Sequence, residues 1–399
     1  MVWLKRNLQD MTSLLLPVLL LAILGSWLSI YLEQRQQQFN QQRIQQSLDT
    51  KAVQLADAIA EKMTIYQYGL RGLRGVVLSA GTENFAYPNM LSYSRSRDLN
   101  MEFPGSRGFG VIRKVAQAQV PYFLQQASAD RGQEFKLKQY APHDHDLFII
   151  QYLEPLADNA SAIGLDVASE KMRHQAILLA ASENKAVLTE PITLVQAQNK
   201  KSQGFLLLMP IYRQSPVPEL PDLRYQDLFG FAYTPLLIDE ILSSIHSSDD
   251  SIQLEVVDLE SSLGHPFFVR TVANTALTEL HSETEFSVFS RNWQVRLVAS
   301  QTFIDQLGLQ NPKSVFYTSL GICALIILII AFFQLALIRR LQLARHRAVL
   351  AAIVENANEA VIGSDKEGRI SSWNTLLRNL AVIRSSAASH FLMLTPSST

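Results

Sequence analysis

One cysteine, Cys323, occurs in 399 residues. No disulfide can form within the chain, so any folded part must rest on an ordinary apolar core, which this length allows. Charge imbalance is lacking too: 35 Lys and Arg stand against 36 Asp and Glu, a net charge of -1. Nucleic-acid binders carry a clustered basic face, so no nucleic-acid partner is expected. Catalytic signatures are missing as well. The chain has no GGDEF-like cyclase signature, no phospho-accepting His box and no ATP-binding Gly-rich motif. Its close-set glycines, GSRGFG from Gly105 to Gly110, lack GxGxxG spacing and lead into a strand rather than a helix, which excludes a dinucleotide site. Neither an enzymatic activity nor a cofactor is expected of this chain. His143-Asp144-His145-Asp146 would set two imidazoles on one face of an extended strand. A solvated turn accounts for that run better, and no metal site is assigned.

Two stretches lack charge altogether: MTSLLLPVLLLAILGSWLSIYL (11–32) and SVFYTSLGICALIILIIAFFQLALI (314–338). They account for a mean hydropathy of +0.07. Each is long enough to cross a hydrocarbon core, which takes about 20 apolar residues. The first exceeds a signal-peptide core and runs into Gln-rich helical sequence instead of a small-residue cleavage site, so it reads as an uncleaved anchor. Lys5 and Arg6 precede it; Arg339, Arg340, Arg345 and Arg347 follow the second. Positive flanks stay cytoplasmic. Both ends are therefore expected inside, and 33–313 outside, in the periplasm of a bacterial inner membrane whose lipid is one partner.

Between the spans the pattern changes twice. From 33 to 80 no proline occurs, and Leu48, Ala52, Leu55, Ile59, Met63, Tyr66, Leu70, Leu73 and Val77 recur at steps of three and four. That predicts one stripe of a long stalk helix. Two uses of the stripe stay open: packing on its own domain, or pairing with a parallel helix in a homodimer. Beyond Asn100 the pattern is mixed α/β. GFGVIRKV, EFKLKQY, LFIIQYLEP, KAVLTEPITLV and GFLLLMPIYR read as strands, with the helix SEKMRHQAILLAASEN among them, Ser169 as its N-cap and Met172, Ala176 and Leu179 on one face. The three prolines of SPVPELPDL mark an irregular connection. A second, smaller set follows: LFGFAYTPL, the helix LLIDEILSSI, SIQLEVVDLE and FSVFSRNWQVRLVAS. The expected organisation is a span at 11–32, a stalk at 33–80, a membrane-distal sheet domain at 81–228 and a proximal one at 229–300. After these come a span at 314–338, a linker helix at 339–355 and a short strand pair opening a domain at 356–399.

MEFPGSRGFGVIRKV, YLEPLADNASAIGLDVASEKMRHQAI, NKAVLTEPITLVQ and GFLLLMPIYR, in this order, resemble the CHASE domain, a sensory module of bacterial receptor kinases, nucleotide cyclases and plant cytokinin receptors. GFAYTPLLIDEIL and NWQVRL fit its closing part, so roughly Leu48 to Ser300 is covered. The resemblance implies a mixed α/β fold: a long N-terminal stalk helix with two tandem PAS-like antiparallel sheets, flanked by two transmembrane helices. It implies a small ligand in the distal sheet and signalling across the membrane as a homodimer. Strand alternation then nominates Tyr152, Ala186, Leu188, Thr189, Phe205 and Leu207 as lining the ligand cavity. Thr189 and Pro191 match the family's Leu-Thr-x-Pro pattern. Plant relatives hold an adenine-type ligand with an acidic residue where this chain has the apolar LFII, so a cytokinin is not implied. IVENANEAVIGSDKEGRISSWN resembles the start of a cytoplasmic PAS domain, a likeness that breaks off after Asn374. The reading is a truncated receptor whose relatives end in a histidine kinase or diguanylate cyclase. A membrane scaffold that binds a protein partner is the competing reading.

Overall fold

The computed structural model describes residues 2–193, 203–245, 251–262, 264–272, 275–357, 359, 361–376 and 378. Two compact units emerge, Phe39–Leu309 and the pair of segments Met1–Gln38 and Gln310–Thr399.

Phe39–Leu309 is built on the stalk part of one helix, Val2–Ala80. Its buried residues Ile44, Leu48, Ala52, Ala56, Ile59, Met63, Tyr66, Leu70, Leu73 and Val77 keep the three-and-four spacing. They join one apolar cluster with residues of both sheets, so the stripe packs on its own domain. Gly69 shows how closely: a Cβ there would lie 2.5 Å from the Phe109 ring.

The larger sheet holds β1 (Phe109–Val115), β2 (Leu147–Glu154), β3 (Val187–Leu188), β4 (Ile192–Thr193), β5 (Gln203–Tyr212) and β6 (Leu228–Leu237). Its order is β2-β1-β6-β5-β3, with β4 also on β5, and every pairing is antiparallel. The stalk covers one face. The helix Lys171–Glu183 covers the other, against Phe148, Ile150, Val187, Leu206 and Leu208. Strands buried on both faces are rich in apolar residues, and β2 and β6 are buried throughout, Gln151, Glu154 and Thr234 included.

The second sheet has β7 (Ile252–Asp258), β8 (Phe268–Arg270), β9 (Leu277–Val288) and β10 (Arg291–Ser300), in the order β8-β7-β10-β9. Phe205 of β5, Phe267 and Trp293 of β10 join the two sheets, with ring centroids 4.8 to 5.3 Å apart.

Five expectations need correction. LFGFAYTPL, assigned to the proximal set, is β6, seated between β1 and β5 of the larger sheet, so the boundary at 228/229 falls too early. EFKLKQY makes no strand; Lys138 forms one isolated bridge to Leu165. KAVLTEPITLV breaks into β3 and β4 around Pro191, which has no N–H for the ladder. Glu170, not Ser169, caps Lys171–Glu183, its carboxylate accepting from the Met172 and Arg173 N–H groups. That helix buries Arg173, Ala176, Ile177, Ala180 and Ala181 and leaves Leu179 exposed.

Among the described residues, two helices are long and apolar enough to cross a membrane, with windows inside Leu16–Ala80 and Pro312–Glu355. Asn311 caps the second by accepting from Lys313 N–H at 2.9 Å. Gly25 lets the helices approach: a Cβ there would be 3.0 Å from that of Cys323. The expected strand pair is β11 (Ile362–Ser364) and β12 (Ile370–Trp373), antiparallel, with Gly368 left-handed in the turn. Most of the expected 375–399 tail lies outside the described residues.

Candidate ligand-binding site

Capping by Glu170 fixes the first turn of Lys171–Glu183 and with it Arg173, which is 5% exposed. Burying a guanidinium requires partners for its five donors. One terminal NH₂ donates to Thr193 O at 3.2 Å, the other to Tyr140 Oη at 3.4 Å, and the group lies 5.0 Å from the Tyr140 ring centre. Glu170 Oε2 lies 3.6 Å from Nε, an ion pair too long for a hydrogen bond. Buried Nε therefore has no hydrogen-bond acceptor among the described residues, and buried Gln203 Oε1 has no donor. Arg173, Gln203, Tyr140, Glu170 and Pro191–Thr193 line one open cleft of about 310 Å³. A spare donor and a spare acceptor beside an apolar wall of Met172 and Ile192 suit a small polar molecule.

None of the six sequence-nominated residues lines this cleft. Tyr152, Ala186, Leu188, Phe205 and Leu207 are buried in the cluster shared with the stalk, not in this cleft. Tyr152 reaches the stalk face through a bulge: Val111 pairs with Tyr152 but Ile112 with Ile150, so Gln151 is extra and side-chain parity inverts. Its hydroxyl donates to Asp130 Oδ2 at 2.5 Å and accepts from Gln151 at 2.8 Å; burial, then Asp130, raise its pKa. Thr189 binds backbone: its N–H donates to Leu206 O and its Oγ1 accepts from Leu206 N, each at 3.0 Å. Its matched neighbour Pro191 lines the cleft. Ala186 borders a second cleft at the end of β3.

Sequence reasoning missed Arg173, Tyr140, Gln203 and Glu170. The available signal was an arginine at the three-and-four spacing of the buried Ala176, Ile177 and Ala180.

The His143–Asp146 run is no solvated turn. His143 Nε2 lies 2.6 Å from Oδ2 of Asp166, which is fully buried. Asp166 also accepts from the N–H groups of Phe148 and Ala168 and from Gln139 Nε2. The His143, His145 and His174 rings stack at 3.6 and 3.9 Å. Stacking turns ring faces, not nitrogens, toward one another, and no His/Cys/Asp/Glu group among the described residues is placed to hold a metal. Burial, then the neighbouring His145 and His143, lower the pKa of His174.

Residues 84–268 match the family profile of the CHASE domain. No curated protein sequence matches the chain. Among solved structures, the periplasmic sensory domain of the Campylobacter jejuni chemoreceptor Tlp1 aligns over 67% of this chain and 98% of its own, with 12% identity and a TM-score of 0.43. The extracellular domain of vpHK1S-Z8, described as a histidine kinase, aligns over 73% of this chain and 98% of its own, with 8% identity and a TM-score of 0.28.

Proposed function

We propose that this chain, which carries a CHASE domain over residues 84–268, is a two-pass membrane sensor that binds a small polar ligand outside the membrane. The observation that carries the reading is the Arg173 cleft. Arg173, whose buried Nε has no hydrogen-bond acceptor among the described residues, lines the same cleft as Gln203, whose buried Oε1 has no donor, at the end of a sheet covered on both faces. Leaving such groups unpaired is costly, and a ligand offering an acceptor and a donor satisfies both.

In this reading 33–313 is periplasmic, both ends are cytoplasmic and the receptor works as a homodimer. The larger sheet shares one apolar cluster with the stalk, so a change in β5 is felt by the helix. A ligand shifts that arrangement only by its differential affinity for two states. The absence of acidic residues from LFII speaks against a cytokinin.

The test is thermal unfolding of the full chain in lipid nanodiscs against a panel of amino acids, sugars and nucleobases. One compound class should raise the melting temperature saturably, and Arg173→Met should abolish that rise while Leu179→Ala, an exposed position, retains it. No stabilising compound, together with capture of one defined protein partner, would favour the scaffold.

A further inference from the structure

The second cleft, also about 310 Å³, lies where three parts of the outer unit meet. Gln67, Arg71 and Arg74 come from the stalk at a spacing of four and three, one helix face. Asn184, Lys185 and Ala186 come from the end of Lys171–Glu183 and the approach to β3, Met209 from β5, and Phe289 and Ser290 from the β9–β10 turn. Three of these nine residues are cationic and none is acidic.

Two observations separate the cleft from an ordinary solvated basic patch. Arg74 is half-buried and has no hydrogen-bond or ion-pair partner among the described residues, although burial and Arg71 both disfavour its charge. Among the described residues, the only carboxylate within ion-pair distance of a lining cation is Glu183, 3.7 Å from Lys185. Backbone strain is found here as well, in the β9–β10 turn, whereas Asn184 is the ordinary left-handed cap of Lys171–Glu183. The non-glycine residues with left-handed backbone among the described residues are Asn184 (φ 51°), Phe289 (φ 46°) and Ser290 (φ 68°), and all three line this cleft. Two-residue hairpin turns of this kind favour Asn-Gly, so Phe-Ser is a costly choice. Strained backbone of this sort gathers at ligand sites. The turn is held against β3 by the Leu188 N–H donating to Phe289 O at 3.2 Å.

We propose that this cleft is a second ligand site, distinct from the Arg173 cleft, for a small multiply charged oxyanion, a phosphate ester or a polycarboxylate. Arg71 and Arg74 supply planar forks that match two oxygens each. Lys185 closes the rim, and Asn184, Gln67 and Ser290 offer neutral hydrogen bonds. An occupant would touch the stalk, the larger sheet and the proximal hairpin together, so it would regulate how tightly the two sheets are coupled.

The test uses the full chain in detergent micelles, with melting followed in inorganic phosphate, in citrate and in sodium chloride of matched ionic strength. A saturable rise is expected with phosphate or citrate and not with chloride; which anion acts distinguishes phosphate from carboxylate recognition. Arg74→Gln should weaken the midpoint roughly tenfold to hundredfold, the loss expected for a hydrogen bond to a charged group. If Arg74→Gln lowers the anion-free melting temperature, Lys185→Gln, an exposed change, is the deciding variant and should weaken the midpoint too. Arg173→Met should leave it in place, so this site and the other stand or fall separately. No saturable rise with either anion, or an unmoved midpoint in both Arg74→Gln and Lys185→Gln, overturns the proposal.

Discussion

The two sheets of the outer unit share one helix and differ in what covers them. The larger sheet has the stalk on one face and Lys171–Glu183 on the other, and β6 is buried at every position. The smaller sheet packs Leu254, Val256, Trp293, Val295 and Leu297 on the shared cluster, while alternate residues of β7 and β10 are less buried. Only a sheet covered twice has a second set of elements above it to form a cleft at the strand ends, which is where Arg173, Gln203 and Thr193 meet.

The sharpest way to break this comparison is truncation of neighbouring residues. Leu207 and Leu208 belong to the clusters on opposite faces. Leu207→Ala and Leu208→Ala should each lower stability by about 2–5 kcal/mol in denaturant unfolding, the usual range for buried leucine. If only one does, the larger sheet is one-sided after all. In the smaller sheet adjacent residues should behave unequally: Leu297→Ala falls in the same range, while half-exposed Arg296, 3.4 Å from Glu283, is worth about 1 kcal/mol or less on Arg296→Ala.

Between these effects lies a pH dependence from the helix that covers the larger sheet. His174 has a lowered pKa in the folded chain, so below the ordinary value of about 6.5 the unfolded chain binds the proton first. Its contribution is intact above that value. It falls away as pH drops from about 6.5 towards the lower folded value, by less than the ~1.4 kcal/mol per pH unit that one proton sets. The difference in unfolding free energy between the wild type and His174→Gln, measured from pH 8 to pH 5, should show that slope. An identical slope in both proteins would remove His174 as its source.

Much of this was legible in sequence, and the reasons for the rest are local. The stalk could be read because one face of it is buried over about nine turns of three-and-four spacing, from Ile44 to Val77. β6 was misplaced because a strand apolar on both faces carries no alternation to say which sheet it joins. The nominated Tyr152 follows from strict alternation, which the bulge at Gln151 interrupts. The Arg173 cleft and the histidine column unite a loop near 140–145 with a helix some 30 residues later, and no periodicity links two such segments. Both sites depend on the turn of Lys171–Glu183 that Glu170 sets, and a serine one position earlier offered an equally good cap on paper. That serine accepts from the Tyr140 N–H instead.

β9 borders the smaller sheet, pairing with β10 on one side only. Glu279, His281, Glu283 and Glu285 stand exposed along it, three carboxylates in seven residues. A like strand laid alongside would bring its own negative row against this one, and such repulsion blunts open sheet borders. A second copy extending the sheet through this border would have to bring its own carboxylate row against that of β9.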